Sequence, residues 1–353
     1  MAVTALAVAV LVVGNALINS QPAQTPEDHL NRQSVMPTHP YLPSMPVGGV
    51  DLGNIQAALD SIAPGGTLTL PKGGVYIVAT ALVVPSNITV DGNGSVLETP
   101  ADSTTRRSDD AIMQVSSGDT IRNFVFDGNV HNQNGVWTQH RHAIIIGTSS
   151  DITIDYNTFR NLIGDGIYSN GASSLTIDYN RFYGDHSNRN GISIISGSQV
   201  RIYENTFWSM SRPDMPGAID LEPNMPSQTL SDVLVENNTI NDPAHFGMLE
   251  WDSSQGAISN VTFRNNIING GPAVVGGGSG ILIAYGSATV SGNTINNCPV
   301  YYGIRWINGS GGSATGNHLN GVEFGISRAH SPSVTISGNT YADITRSNEV
   351  NQP

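Results

Sequence analysis

The chain repeats the segment Ile154-Asp-Tyr-Asn157-Thr-Phe159 almost unchanged as Ile177-Asp-Tyr-Asn180-Arg-Phe182. Further copies of this segment follow and are centred on Asn205, Asn238, Asn266, Asn293, Asn317 and Asn339. Successive asparagines are separated by 23, 25, 33, 28, 27, 24 and 22 residues. A period of this length is typical of one coil of a solenoid, in which each coil buries its apolar face against its neighbours.

The composition favours strands over helices as the elements of this solenoid. Charged residues make up 12% of the 353 residues, and 39 are glycine. Glycine, asparagine and serine recur between short apolar runs, which is typical of strands joined by tight turns. Leucine-rich repeats have a similar period, but their leucine scaffold is missing. The sequence therefore predicts an all-β protein, a right-handed parallel β-helix of about ten coils.

The chain is predicted to contain three regions. Residues 1–46 combine the apolar run Ala2–Val13, too short to span a bilayer, with a proline-rich linker. This run is interpreted as a signal peptide or an anchor. A single β-helix domain is predicted for 47–345 and a C-terminal tail for 346–353. Within the domain, Asn54–Ile62 has the apolar spacing of a short helix, which would cover the open N-terminal end of the solenoid.

The net charge limits the class of partner. The formal charge is −13 at pH 7, whereas binding of nucleic-acid phosphates requires a basic surface. The sequence therefore argues against nucleic acid as a partner, and it contains no apolar run long enough for a membrane span.

The N-terminal coils carry a resemblance to a known group of proteins. Val50–Ile62, Pro64–Pro71 and Leu82–Asn93 resemble the N-terminal cap and first coils of pectate-lyase-like β-helix proteins. That group includes secreted polysaccharide lyases and hydrolases as well as phage tailspikes, so the resemblance implies a polysaccharide partner and a location outside the cell or in a virion. It covers about 47–345 and is specific for the fold rather than the reaction. The GHG and RIK motifs of polygalacturonases are absent.

Candidate catalytic carboxylates lie on one predicted strand. With Ile219 and Leu221 facing inward, Asp220 and Glu222 face outward, roughly 6.5–7 Å apart along the strand. If Leu249-Glu250-Trp251-Asp252 continues this frame on the next coil, Glu250 lies beside Asp220 and Asp252 beside Glu222, about 4.8 Å away. An alternative frame, which aligns Met248 with Ile219, turns Glu250 inward.

Such a cluster has three interpretations. Like charges this close raise at least one pKa, which provides the acid and the base that glycoside hydrolysis needs. The same oxygens suit Ca²⁺, although no cofactor is required. They are otherwise solvated surface acids of an acidic protein.

Further candidates surround these carboxylates. Asp165 is a possible catalytic partner in the turn before the same strand of an earlier coil. The predicted substrate-binding residues are Tyr168, Arg189, Ser193, His245, Trp251 and Arg305. Tyr168 and Ser193 precede Asp220 in the same column of the sheet, and Arg305 follows it.

Two functions remain open from the sequence. The carboxylates favour a polysaccharide-degrading enzyme, a glycosidase more than a lyase. The missing catalytic motifs favour a non-catalytic tailspike or adhesin that binds glycan as a homotrimer.

Overall fold

The computed structural model describes residues 52–101, 110–133, 141–212, 216–251, 257–271 and 278–352. The predicted signal or anchor, the linker and Asp252 lie outside these residues. Within them, no helix is both long and apolar enough to cross a membrane.

The described chain contains one α-helix, α1 (Leu52–Ser61), a 3₁₀ turn (Val130–Asn132) and a succession of short strands. The strands of the first half are β1 (Thr67–Thr69), β2 (Val75–Ile77), β3 (Leu82–Val83), β4 (Thr89–Asp91), β5 (Val96–Glu98), β6 (Asp110–Val115), β7 (Thr120–Arg122), β8 (Val125–Asp127), β9 (Arg141–Ile146), β10 (Ser150–Asp155), β11 (Thr158–Arg160), β12 (Ile167–Asp178), β13 (Arg181–Tyr183), β14 (Ile192–Tyr203) and β15 (Thr206–Trp208). Those of the second half are β16 (Gly217–Leu221), β17 (Thr229–Glu236), β18 (Thr239–Asn241), β19 (Phe246–Trp251), β20 (Ala257–Arg264), β21 (Ile267–Asn269), β22 (Ser279–Ala284), β23 (Ser287–Ser291), β24 (Thr294–Ile307), β25 (Gly311–Thr315), β26 (His318–Ala329), β27 (Thr335–Ser337), β28 (Thr340–Ala342) and β29 (Ser347–Gln352).

These strands form three stacked sheets that run the length of the described domain. Sheet A contains β1, β4, β7, β10, β12, β14, β17, β20, β23, β25 and β27; sheet B contains β2, β5, β8, β11, β13, β15, β18, β21, β24, β26 and β28; and sheet C contains β3, β6, β9, β12, β14, β16, β19, β22, β24, β26 and β29. The long strands β12, β14, β24 and β26 bend from one sheet into the next. Every strand pairing in the described part of the chain is parallel, which confirms the predicted parallel β-helix.

Helix α1 covers the N-terminal end of the coils. Ile55 and Leu59 are buried in the core, as their spacing predicts. The side-chain amide of Gln56 donates to the carbonyl of Val83 at 2.9 Å and accepts from its backbone N–H at 2.9 Å. The helix therefore buries apolar surface and also satisfies backbone groups of β3, which would otherwise form an open edge.

The interior is filled by columns of identical side chains. Phe126, Phe159, Phe182 and Phe207 are buried and stack face to face, with centroids 4.6–5.0 Å apart. This distance matches the spacing of neighbouring strands, about 4.8 Å. The phenylalanine that recurs after the asparagine in the sequence therefore forms a column of stacked rings in the core.

The asparagine repeat forms a buried ladder of hydrogen bonds. The Nδ2 of each asparagine from Asn157 to Asn317 donates to the Oδ1 of the next, at 2.9–3.1 Å. The ladder asparagines themselves do not have a positive φ. The residue before each of them has the positive φ, as with Tyr156 at 55° and Asn237 at 54°.

The final strand extends the β-helix further than the sequence predicts. Strand β29 pairs in parallel with β26, and Val350 aligns with Ser327. Residues 347–352, predicted to be part of a tail, therefore add a further strand to sheet C.

Replacement of a central ladder asparagine should destabilise the fold strongly. Asn238 donates to the Ile202 carbonyl and accepts from both the backbone and side-chain N–H groups of Asn205. Because Asn238→Ala leaves these buried groups unsatisfied, we expect a loss of about 3 kcal/mol in the free energy of unfolding. Urea unfolding followed by circular dichroism measures it. Asn339→Ala, at the half-buried last rung, is the control and should cost less; equal costs would contradict a cooperative ladder.

Candidate active site

Strand β16 places Asp220 on the outer side of sheet C. Its backbone register aligns Asp220 with Ser193, and Ser193 in turn aligns with Tyr168. Ile219 and Leu221 belong to the core on the opposite side of the strand. The predicted column of Tyr168, Ser193 and Asp220 is therefore confirmed.

The next coil departs from the preferred frame of the prediction. Leu249, not Glu250, aligns with Asp220, and Glu250 aligns with the inward Leu221. The cause is visible at Gly247-Met248, where a small residue and then an apolar one fill the places that Ala218 and Ile219 fill in the coil before. Glu250 is buried on the inner side of the sheet, so the patch in which Glu250 lies beside Asp220 does not form.

Instead, the outward carboxylates surround one arginine that enters from the preceding turn. Arg189 Nη1 lies 2.9 Å from Asp165 Oδ2, and its Nη2 lies 3.8 Å from both Asp220 Oδ2 and Glu222 Oε2. All three carboxylates are buried, whereas the Arg189 side chain keeps 11% of its surface exposed. The interpretation of Asp220 and Glu222 as solvated surface acids is therefore wrong. We name Asp165, Arg189, Asp220 and Glu222 the carboxylate–arginine cluster.

Asn190 fixes the geometry of this cluster. Its backbone N–H donates to Asp165 Oδ1 at 3.0 Å, and its Nδ2 donates to Asp220 Oδ2 at 3.0 Å and to Ser193 Oγ at 2.9 Å. The Asn190 Oδ1 accepts from the backbone of Gly217. Asn190 thus joins three coils and holds two carboxylates in place, one through its backbone N–H and one through its side-chain amide.

Sequence reasoning missed His142, which lies on the N-terminal side of the cluster. Its Nδ1 is 3.4 Å from Asp165 Oδ2 and accepts the backbone N–H of Asp165 at 3.2 Å. The buried ring stacks on Tyr168, with centroids 4.6 Å apart and planes at 16°. A signal existed in the sequence, because the alignment of Ile144 with Ile167 places His142 opposite Asp165.

The electrostatics of the cluster separate its acids from ordinary carboxylates. Burial, reinforced by the charge of Glu222, raises the pKa of Asp220 well above its usual value. Burial also raises the pKa of Glu222 to about 6, although Arg189 opposes the shift. Burial alone would lower the pKa of Arg189, but Asp165, Asp220 and Glu222 outweigh it and raise that pKa. The cluster therefore holds a permanent cation beside two acids, Asp220 and Glu222, whose pKa values lie above their usual range.

An apolar surface continues sheet C beyond the cluster. Leu249 and Leu282 pack with Trp251, and the Trp251 ring meets the edge of Tyr285 at 5.6 Å. Arg305 occupies the same column as Asp220, as predicted, with Leu249 and Leu282 between them. Three coil spacings separate the two residues, about 14 Å, so Arg305 is not part of the cluster.

His245 is also outside the cluster. Its ring lies 3.9 Å from that of Phe246, and burial together with the charge of Arg305 lowers its pKa to about 4. His245 is therefore neutral at physiological pH.

The sequence also left Ca²⁺ open for these acids. Among the described residues, no group of three or more histidine, cysteine, aspartate or glutamate side chains has an arrangement that could hold a metal ion. Within the cluster, Arg189 supplies the positive charge that a cation would bring.

Comparisons with known proteins identify relatives of the fold. The model of the family described as "Right handed beta helix region" matches residues 110–288. No curated protein matches the chain. Among solved structures, the surface protein and adhesin PfbA of Streptococcus pneumoniae is similar with a TM-score of 0.61 and 14% identity, over 85% of this chain and 96% of PfbA.

Two further structures extend this set. A mutant tailspike protein of E. coli bacteriophage HK620, in complex with pentasaccharide, has a TM-score of 0.55 and 13% identity over 81% of this chain and 63% of the tailspike. An alginate lyase from Paenibacillus has a TM-score of 0.52 and 15% identity over 82% of this chain and 96% of the lyase. At these identities the likeness concerns the fold.

Proposed function

The chain belongs to the right-handed β-helix family, and from this premise we propose that it binds a polysaccharide along sheet C and hydrolyses it at the carboxylate–arginine cluster. The observation that carries the proposal is the pair of buried acids, Asp220 and Glu222, which share Arg189 at 3.8 Å each. Buried acids with displaced pKa values and a specific charged partner are typical of catalytic sites more than of scaffolds.

Hydrolysis assigns different roles to the two acids. Asp220, whose pKa is raised well above its usual value, donates its proton to the glycosidic oxygen as the C–O bond breaks. Glu222 accepts a proton from the water whose oxygen bonds to the anomeric carbon. Arg189 balances the charge of the pair, and Asp165 holds Arg189 at 2.9 Å. Asp220 Oδ2 and Glu222 Oε2 each lie 3.8 Å from Arg189 Nη2, so they are separated by at most twice that distance. This upper limit allows the carboxyl separations of both retaining and inverting glycosidases.

The sugar chain would run along the axis of the coils. Tyr168 and Ser193 flank Asp220 on the N-terminal side, and Trp251 and Arg305 lie on the C-terminal side. Aromatic faces and planar guanidinium groups suit sugar rings and their hydroxyls or carboxylates. Two of the similar structures, an alginate lyase and a tailspike in complex with pentasaccharide, are consistent with a glycan partner.

A second candidate function is glycan binding without cleavage. The observation that favours it is burial, because Asp220 and Glu222 expose almost no surface to a substrate. Under this alternative the cluster is structural, and the protein is an adhesin or tailspike-type protein that assembles as a homotrimer outside the cell or in a virion. Light scattering that reports a trimer, together with no product from any polysaccharide, would favour this alternative.

The pH dependence of hydrolysis tests the assignment of roles. We expect kcat/KM to fall below about pH 6, because Glu222 must lose its proton to act as base. A second fall at higher pH should follow the deprotonation of Asp220. The measurement is release of reducing ends from a cleaved polysaccharide across this pH range. A rate that stays constant through pH 6 would contradict the role of Glu222.

A further inference from the structure

A second surface lies at the turns that follow the strands of sheet A, whereas the cluster lies on sheet C. In sheet A, the residue that follows each strand from β7 to β27 has a positive φ, between 52° and 64°. Six of these nine residues are asparagine or glycine, namely Asn123, Asn237, Asn265, Gly292, Gly316 and Gly338. The other three are Glu204, Tyr156 and Tyr179. Asparagine and glycine adopt this conformation most readily, whereas a bulky side chain adopts it at a cost in free energy.

Burial does not compensate this cost at the two tyrosines. Tyr156 is 57% exposed and Tyr179 is 43% exposed. Their rings stack on each other with centroids 5.0 Å apart and planes at 5°, and Tyr179 meets the edge of Tyr203 on its other side. Two strained backbones therefore present large aromatic rings to solvent, a combination that points to function.

The preceding coil leaves one face of Tyr156 open. Its equivalent residue is Asn123, whose short side chain turns away and donates to Asp91 Oδ1 at 3.1 Å. Arg122, on the same coil, donates from Nε to Asp91 Oδ2 at 3.0 Å, and 42% of its side chain is exposed. The step from asparagine to tyrosine creates a niche about one coil deep, roughly 4.8 Å, with the Tyr156 ring as its wall.

We propose that one pyranose ring of a polysaccharide stacks on the face of Tyr156 that is turned away from Tyr179, beside Asn123 and Arg122. The depth of the niche matches one ring in van der Waals contact, since carbon atoms pack about 3.5–4 Å apart. The planar polar groups of Arg122 and Asn123 at its floor suit sugar hydroxyls. We name this niche the Tyr156 site.

A sugar fits the Tyr156 site better than a protein does. A stable protein interface buries about 800 Å² on each partner. Here the exposed aromatic rings are those of Tyr156 and Tyr179, and charged residues border the Tyr156 ring at Arg122 and Asp155. The site rests on the proposed function only in sharing its polysaccharide partner, because the Tyr156 site is on the turn between sheets A and B and the cluster is on sheet C.

The test is retardation of the full chain in native gels that contain alginate, dextran, hydroxyethyl cellulose or polygalacturonate. We expect at least one of them to retard the wild type, and Tyr156→Asn to bind it about tenfold more weakly. Asparagine is the residue that this turn favours, so the variant should fold at least as well as the wild type. Tyr156→Trp should retain binding, and Glu204→Asn, the same change of turn residue two coils further on, is the matched control.

Three results would overturn the Tyr156 site. They are equal retardation of Tyr156→Asn and wild type, no retardation of the wild type by any of the four polysaccharides, and a change in oligomeric state on Tyr156→Asn, which would identify the rings as a protein interface. Product release by the same variants separates this site from the cluster. If Tyr156→Asn loses binding and the wild type releases no product, the Tyr156 site is supported and the proposed hydrolysis is contradicted. If the wild type releases product and Tyr156→Asn binds as the wild type does, only the Tyr156 site is contradicted.

Discussion

Asp220→Asn should abolish polysaccharide cleavage, by at least about 10²-fold in kcat, while the protein remains folded. The amide has the shape of the carboxyl group and can still accept from Asn190 Nδ2, which lies 3.0 Å from Asp220 Oδ2. It cannot supply the proton that the leaving oxygen requires. Initial rates of reducing-end release measure the effect, and Asp232→Asn, the same change at an exposed position of β17, is the control.

The same substitution should change the pH dependence of stability. The pKa values of Asp220 and Glu222 are raised in the folded state, so the folded protein retains protons that the unfolded chain releases above about pH 4. The cluster therefore stabilises the fold most at acidic pH, and this contribution is lost as pH rises from about 4 through 6 and beyond. Asp220→Asn should flatten this decline and leave the melting temperature at pH 7 equal to or above that of the wild type. A lower melting temperature at pH 7 would indicate a structural role instead.

Arg189→Met should have the opposite effect on stability and lower the free energy of unfolding by about 3–5 kcal/mol. The arginine is the cation that compensates Asp165, Asp220 and Glu222. Without it three buried carboxyl groups lose their compensating positive charge, and the methionine provides similar volume but no charge. Urea unfolding at pH 7 measures the loss.

Two companion variants make this result specific. Arg181→Met changes an exposed arginine of β13 and should cost little. Asp165→Asn, combined with Arg189→Met, removes one of the carboxylates that Arg189 no longer compensates and should recover part of the stability. Equal effects of Arg189→Met and Arg181→Met would contradict the view that the cluster is held together by charge.

The sequence predicted the fold well because each repeat of the sequence corresponds to one coil of the structure. One asparagine for each coil completes a hydrogen-bond ladder, so spacing in the sequence translates directly into stacking in space. The same regularity correctly aligned Tyr168, Ser193 and Asp220 in one column. The prediction from this regularity failed at Glu250. There, two alignments with the preceding coil, one residue apart, both place an apolar residue inward. The pairing of Gly247 with the small residues of neighbouring coils decides between them.

Other features depend on packing that spacing does not report. The alternation in β16 predicts that Asp220 faces outward, but not that it is buried there. Nor does it predict that Arg189 reaches three acids on the two coils that flank its own. His142 was missed because a single histidine carries no repeat of its own, although the register of its strand identifies its neighbour Asp165.

The most direct test of the central claim is mass spectrometry of polysaccharides incubated with the wild type and with Asp220→Asn. Hydrolysis at the carboxylate–arginine cluster predicts that the wild type releases oligosaccharides whose mass is that of their sugar units plus one water. Asp220→Asn, folded by circular dichroism, should release none. Unsaturated products, equal release by the two proteins, or no release from any polysaccharide by a folded wild type would contradict the claim.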